Sequence, residues 1–314
     1  MGTRGRATCA RAAAIVLALL GLAIVTFAVI RDWGALLSFP WRPQWPLAFV
    51  FLLVHSTALG TLFIAWHRMV RSLANTSNWR FDLHAYSVSI LARRIPLPIW
   101  YAGSRVLMYR QTEVSASVVM SATVLEAVLI GLSGVLAYVP FIPWYTTIPN
   151  IPSWLVVTTL LALGGGLWIR PSLVIDAANL GLRRLRRQEI GATLHRRDLL
   201  ALVAAYWSTW LVDGAGLYFF VTALTGLRPP LVDILGASTL TALVGLVSMV
   251  LPFGLGLKEL TLGVLLSAWM PLSAGVILAI AYRVGQTLVE AFWAAIATRW
   301  SGGGPGPQAG RDHP

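Results

Sequence analysis

The chain has 314 residues, 57% of them hydrophobic and only 11% charged, and its mean hydropathy is +0.73. Those proportions exclude an ordinary water-soluble domain and indicate a protein whose surface faces lipid. A net charge of +12 would suit a nucleic-acid binder, but the basic residues alternate with the apolar segments, which argues against nucleic acid and for the positive-inside pattern.

The first apolar run, Ala12–Ile30, carries no charge over 19 residues and follows Arg4, Arg6 and Arg11. It exceeds the roughly 7–15 apolar residues of a signal peptide and lacks an Ala-x-Ala site, so an uncleaved first span is expected. A second span is expected over Trp45–Trp66. The next apolar stretch, Phe81–Ala92, is too short to cross: 12 residues make about 18 Å of helix. Arg93, Arg94 and a break at Pro96-Leu97-Pro98 follow it, and a second short arm runs from Ile99 to Tyr109. Further spans are expected over Val114–Val139, Trp154–Ile169, Leu199–Ala223 and Ser273–Thr298.

Between the last two spans, Leu231–Val250 leads into the break Pro252-Phe253-Gly254-Leu255-Gly256, then Leu257-Lys258-Glu259 and an arm ending near Trp269. Irregular backbone at membrane depth leaves N–H and C=O groups without partners in lipid, so it is tolerated only where it lines protein or a water-filled cavity. Both interrupted regions, about 81–110 and 231–269, therefore read as re-entrant hairpins. The alternative for the later one is a plain span followed by an interfacial loop, which would strand Leu260–Trp269.

This reading gives a single integral membrane domain over 1–300, all-α, with six crossing helices and two opposed hairpins in an inverted-repeat-like order. Both termini are expected in the cytoplasm. Sixteen of the 24 basic residues then fall on the cytoplasmic side, against Arg31, Arg42 and Arg228 outside. The cytoplasmic loop 170–197 repeats apolar residues at helical spacing (Val174, Ala178, Leu182, Leu185) beside Arg183, Arg184, Arg186 and Arg187. That pattern suggests an amphipathic helix on an anionic leaflet. The Gly/Pro-rich tail, 301–314, is expected to be disordered. Tryptophans 33, 41, 45, 144, 154, 168, 269 and 300 lie near segment ends, where they suit interface anchors.

Charges at membrane depth are the candidate functional residues. Glu126 lies 12 residues into its span, Asp213 is similarly deep, and Arg283 sits in the last span. A central charge costs about 2.5–3.5 kcal/mol on insertion scales, so each should face protein and pair. Arg283, Gln286 and Glu290 line one helix face. Arg105, Lys258 and Glu259 sit beside the breaks, where helix N-termini and their free N–H groups favour an anion. An arginine there can grip a phosphate bidentately. The expected substrate site is thus Arg105, Lys258, Glu259, Glu126, Arg283, Gly254 and Gly256, supported by Asp213, Glu290, Arg94, Pro96 and Pro252. No cofactor is expected. Cys9 is the only cysteine and the five histidines show no metal-ligand spacing.

At these residues the chain resembles the flippase-like membrane domain of the lysylphosphatidylglycerol synthase family and its stand-alone relatives. The resemblance rests on Arg94-x-Pro96 with Arg105, the Glu126 span, the Pro252-x-Gly254-Leu255-Gly256-x-x-Glu259 run, and Arg283, and covers most of 12–298. Phe253, Lys258 and Leu97 stand where the family usually has glycine, arginine and glycine. The resemblance implies a transporter that moves an anionic, aminoacylated or polyprenyl-linked lipid between leaflets. It is not an enzyme on this reading: no aminoacyl-transferase domain and no Gly-rich Lys-Ser/Thr loop is present. Two alternatives are a non-transporting partner of a glycosyltransferase or lipid-synthase complex, and a membrane enzyme on a lipid-linked substrate. The expected partners are membrane lipids with anionic head groups, a lipid-modifying enzyme, or further copies of the chain.

Overall fold

The computed structural model describes residues 26–27, 30–94, 99–141, 153–170, 172–191, 194–250 and 254–301. Most of the expected first span, the prolines of both breaks (Pro96 with Pro98, and Pro252) and the tail beyond Ser301 lie outside them. Every regular element among the described residues is helical. In chain order these are α1 (Trp33–Ser38), α2 (Trp45–Ala74), α3 (Trp79–Ala92), α4 (Ile99–Tyr109), α5 (Ala116–Tyr138, extended by a 3-10 turn to Phe141), α6 (Ser153–Ile169), α7 (Leu173–Arg184), α8 (Arg196–Thr225), α9 (Leu231–Val250), α10 (Gly254–Leu266) and α11 (Leu272–Ser301). Four of them, α2, α5, α8 and α11, are long and apolar enough to cross a membrane. By contrast α3, α4 and α10 have 14, 11 and 13 residues; even the longest is about 21 Å.

Local chemistry sets the boundaries. Asn75 ends α2 in the left-handed conformation (φ 56°), and Asn78 caps α3 by accepting from the Arg80 and Phe81 N–H groups. Gly226 (φ 69°) ends α8, and Pro229-Pro230 prevents its continuation.

The core divides in two. One cluster joins the C-terminal half of α2 (Trp66, Met69, Val70) to α3, α5, α7 and the start of α8 (Leu202, Tyr206). The other joins Phe51 at the start of α2 to the end of α8 (Leu217, Phe220, Val221), α9, α10 and α11. Helices α2 and α8 thus run through both clusters. They are antiparallel, because Arg42 and Gln44 before α2 donate to the Leu224 and Ala223 carbonyls at the end of α8. Each cluster holds one interrupted helix pair, α3/α4 or α9/α10.

One arm of each pair, α3 or α10, lies along α11, and the two approach from opposite ends. From the α3 side, His84 meets Thr298 (3.2 Å) and Arg94 meets Glu290. From the α10 side, a Cβ on Gly263 would lie 3.0 Å from the Val276 backbone, and Glu259 meets Arg283. The two contacts converge on residues 283–290.

Helix α7 turns 87° from α6. Its apolar face does not go to lipid as the amphipathic pattern suggested. Val174, Ala178 and Leu182 are buried in the first cluster, and Gly181 packs close to Val124 of α5. Leu185, by contrast, is exposed, as are the four neighbouring arginines. Among the anchors, Trp33, Trp41, Trp45, Trp168 and Trp300 are exposed at or near helix ends. Trp269 is half-buried; Trp144 and the Trp154 side chain lie outside the description.

Candidate functional site

The sequence-predicted charges form four groups. The first is sealed. Arg105 on α4 and Glu126 on α5 are both fully buried and pair through Arg105 Nη1. Arg105 Nε donates to Ser89 Oγ (2.9 Å), while Tyr101 and Tyr206 donate to the Glu126 carboxylate at 2.6 and 3.2 Å. Arg105 Nη2 has no hydrogen-bond acceptor among the described residues. Instead the guanidinium carbon lies 3.7, 4.2 and 5.0 Å from the ring centroids of Trp66, Tyr101 and Tyr86. A desolvated cation over such faces gains about 2 kcal/mol. The arginine expected to grip a head group is therefore committed to a carboxylate and an aromatic cage.

A neighbouring chain extends this group. Tyr109 donates to Asp82 (2.6 Å), Trp66 Nε1 donates to the Tyr109 oxygen (3.1 Å), and His67 Nδ1 lies 2.6 Å from the other Asp82 oxygen. No local sequence signal marks it, because its members are scattered over three helices.

The second group is at the start of α10. Glu259 bonds Arg283 of α11 through one oxygen and accepts the Gly256 N–H through the other at 3.0 Å. The side chain reaches back three residues to a donor in the first helical turn, one of the N–H groups left without an intrahelical partner there. Gly256 has φ 96°, a conformation that only glycine adopts readily. Gly254 begins α10 two residues earlier.

The third group is Arg94 and Glu290, a two-bond pair at 2.8 and 2.7 Å. Glu290 is buried and Arg94 half-buried. Their fork-to-fork geometry is the strongest arrangement open to these groups. Beside them lies a half-open groove of about 680 Å³, lined by Leu59, Phe63, Ile64, Leu83, Tyr86 and Trp293 with Gly60 in its floor. Glu290 is its only acidic or basic lining residue among those described.

The fourth group surrounds Asp213 on α8. Tyr282 (3.2 Å) and Gln286 (3.1 Å) donate to one carboxylate oxygen, and Ser238 (3.3 Å) donates to the other. His55 of α2 lies 3.4 Å from the first oxygen. Lys258, Thr241 and Leu262 complete a small cavity with Asp213, Ser238 and Tyr282.

The polar stripe on α11 is thus real in three dimensions: Arg283, Gln286 and Glu290 address α10, α8 and α3 respectively. Glu290, Asp213 and Glu259 meet around that stripe, while Arg105 and Glu126 form a separate enclosed pair. His55, Tyr101, Tyr206, Trp66 and Ser89 carry no distinguishing spacing and emerge only from the packing. Pro96 and Pro252 lie outside the described residues.

Comparison with protein-family models, with curated proteins and with solved structures finds no match to this chain.

Proposed function

We propose that this chain moves an anionic, aminoacylated or polyprenyl-linked lipid between the leaflets of a bacterial cytoplasmic membrane, as a transporter rather than an enzyme. The proposed topology is six crossing helices with two opposed re-entrant pairs, α3/α4 and α9/α10, and both termini inside. Support comes from the short arms, which approach the same stretch of α11 from opposite ends. The resemblance to the flippase-like domain points the same way.

The observation that carries the reading is the groove beside Arg94 and Glu290. It is apolar along its walls, its volume of about 680 Å³ suits part of an acyl or isoprenyl chain, and Glu290, the partner of Arg94, lines it. An anionic head group arriving there offers Arg94 an alternative to Glu290, so the lipid is held by its tail and exchanged by its head. Lys258 and Arg283 carry positive charge on the opposite side of the same α11 stripe.

Gly60 supplies the test. A Cβ built there meets nothing within 4 Å, so Gly60→Phe fills the groove without clashing with the backbone. In liposomes with a fluorescent anionic lipid, wild type is expected to exchange the label between leaflets. Gly60→Phe should slow exchange about tenfold, equivalent to about 1.4 kcal/mol in the barrier. Exchange that is undiminished in a folded Gly60→Phe protein would remove the groove from the path, and no exchange by the parent with any anionic lipid would end the transport reading.

A further inference from the structure

The Asp213 group has features that lipid binding does not use. It lies where α2, α8, α9, α10 and α11 meet, and it is too small for a phosphate-bearing head group. The space between its atoms, about 210 Å³ including the part open to the outside, leaves room for about one water. Its hydrogen-bonding capacity is nonetheless unfilled. Among the described residues, both ring nitrogens of His55, which is 5% exposed, lack a hydrogen bond, and the 3.4 Å approach of Nδ1 to Asp213 is a contact rather than an aligned bond. Thr241 Oγ1, on the cavity wall, is likewise buried without a partner among them. Lys258 makes no hydrogen bond and no ion pair among the described residues. Its stem lies across α9, 3.3 Å from where a Gly245 Cβ would stand. Asp213 itself keeps 26% of its side-chain surface exposed.

We infer that Asp213, together with His55 and Lys258, forms an intramembrane proton-binding site that controls how the α9/α10 pair is held against α8. The reasoning is one of charge. An Asp213 carboxylate and a Lys258 ammonium offset one another in charge. A metal cation entering beside the Lys258 ammonium would meet a like charge, whereas a proton adds to a group already present. The proton comes from water on one side, forms an O–H bond on Asp213 or an N–H bond on His55, and is released to water on the other side. No other bond is made or broken.

Other charges reach the site from the end of α3 and from α10. Arg93, Arg94 and Glu259 act on Lys258, and Arg94 and Glu259 are themselves paired with Glu290 and Arg283. The Asp213–His55 pair is therefore the part of the network with room for one more proton. Neutralising Asp213 weakens its charge-assisted bonds from Ser238 of α9 and from Tyr282 and Gln286 of α11, together with the attraction on Lys258 of α10. One proton thus loosens both arms of the pair at once. Coupling of lipid movement to a proton gradient follows, and that last step rests on the transport reading above.

The test has two arms on the full chain. Infrared difference spectra between acid and neutral pH should contain a protonated-carboxyl C=O band that is absent from Asp213→Asn and shifted in pH midpoint by His55→Gln. Glu189→Gln, on the exposed loop, serves as control and should retain the band. Spectra of wild type and folded Asp213→Asn that superimpose would overturn the site. In the second arm, liposomes carrying the fluorescent anionic lipid are given inward or outward pH gradients. Wild-type exchange rates should differ about fivefold or more between the two, the low end of ordinary site-to-site coupling. Asp213→Asn should bring that ratio close to one. Measurable wild-type exchange that ignores gradient direction would overturn the coupling. If the parent exchanges no lipid at all, the transport reading fails separately, and the infrared band alone decides the proton site.

Discussion

Arg105 and Glu126 show how much context governs a charged residue in a membrane. Each alone at mid-depth would be costly, and each is silenced by the other plus two tyrosines, a serine and the Trp66 ring. Such a pair contributes little relative to well-packed apolar residues, but breaking it leaves an uncompensated buried charge at about 3–5 kcal/mol. Glu126→Leu alone should therefore lower the thermal midpoint in detergent sharply. Arg105→Met combined with Glu126→Leu should recover at least half of that loss. A double variant no more stable than Glu126→Leu would show that the cage needs the ions for its shape. Both positions were visible in the sequence as charges inside apolar runs. The cage was not, since Ser89, Tyr101 and Tyr206 reach Glu126 and Arg105 from three different helices.

At the scale of elements, small residues decide how closely the short arms approach the long helices. Gly263 on α10 faces α11 so tightly that a Cβ would lie 2.4 Å from Val276 Cγ2 and 3.0 Å from its backbone. On α8, a Cβ at Gly214 would lie 3.1 Å from the Leu235 Cα of α9. Gly263→Leu should therefore destabilise by about 1–3 kcal/mol through overpacking. It should also part Glu259 from Arg283, one turn away. Gly103→Leu, where a Cβ meets nothing within 4 Å, should have little effect on the melting midpoint. Equal losses in the two variants would deny that the α10–α11 contact is the tight one. The boundaries of α2, α3 and α8 were legible locally, in asparagine caps and in Gly226 with its two prolines. The docking of α7 was not: an apolar face at helical spacing reads the same whether lipid or another helix covers it, and here α5 covers it.

For the whole molecule, the proposed topology predicts which loops are reached from which side. With Cys9 replaced by Ala, Gln188→Cys in the loop after α7 should react with an impermeant thiol reagent only from the cytoplasm. Arg228→Cys, between α8 and α9, should react only from outside. Both positions are exposed. Labelling of the two from the same side would contradict an odd number of crossings between them. The antiparallel α2 and α8 are each shared by both core clusters and tie them together.

Sequence alone establishes a helical membrane protein and the residues that must avoid lipid, because hydropathy, helix breaks and the expense of a buried charge are local quantities. The register of Arg283, Gln286 and Glu290 on one face follows equally from helical periodicity. Which ion meets which lay beyond it. Arg94 finds Glu290 across 196 residues and Gln286 finds Asp213 across 73. The chain also contains more cations and anions at depth than any local rule can match. Only the packing of α3, α8 and α10 around α11 separates a sealed pair at Arg105 from a cavity with unfilled hydrogen bonds at Asp213, since burial and partnership belong to the assembled helices and not to any one of them.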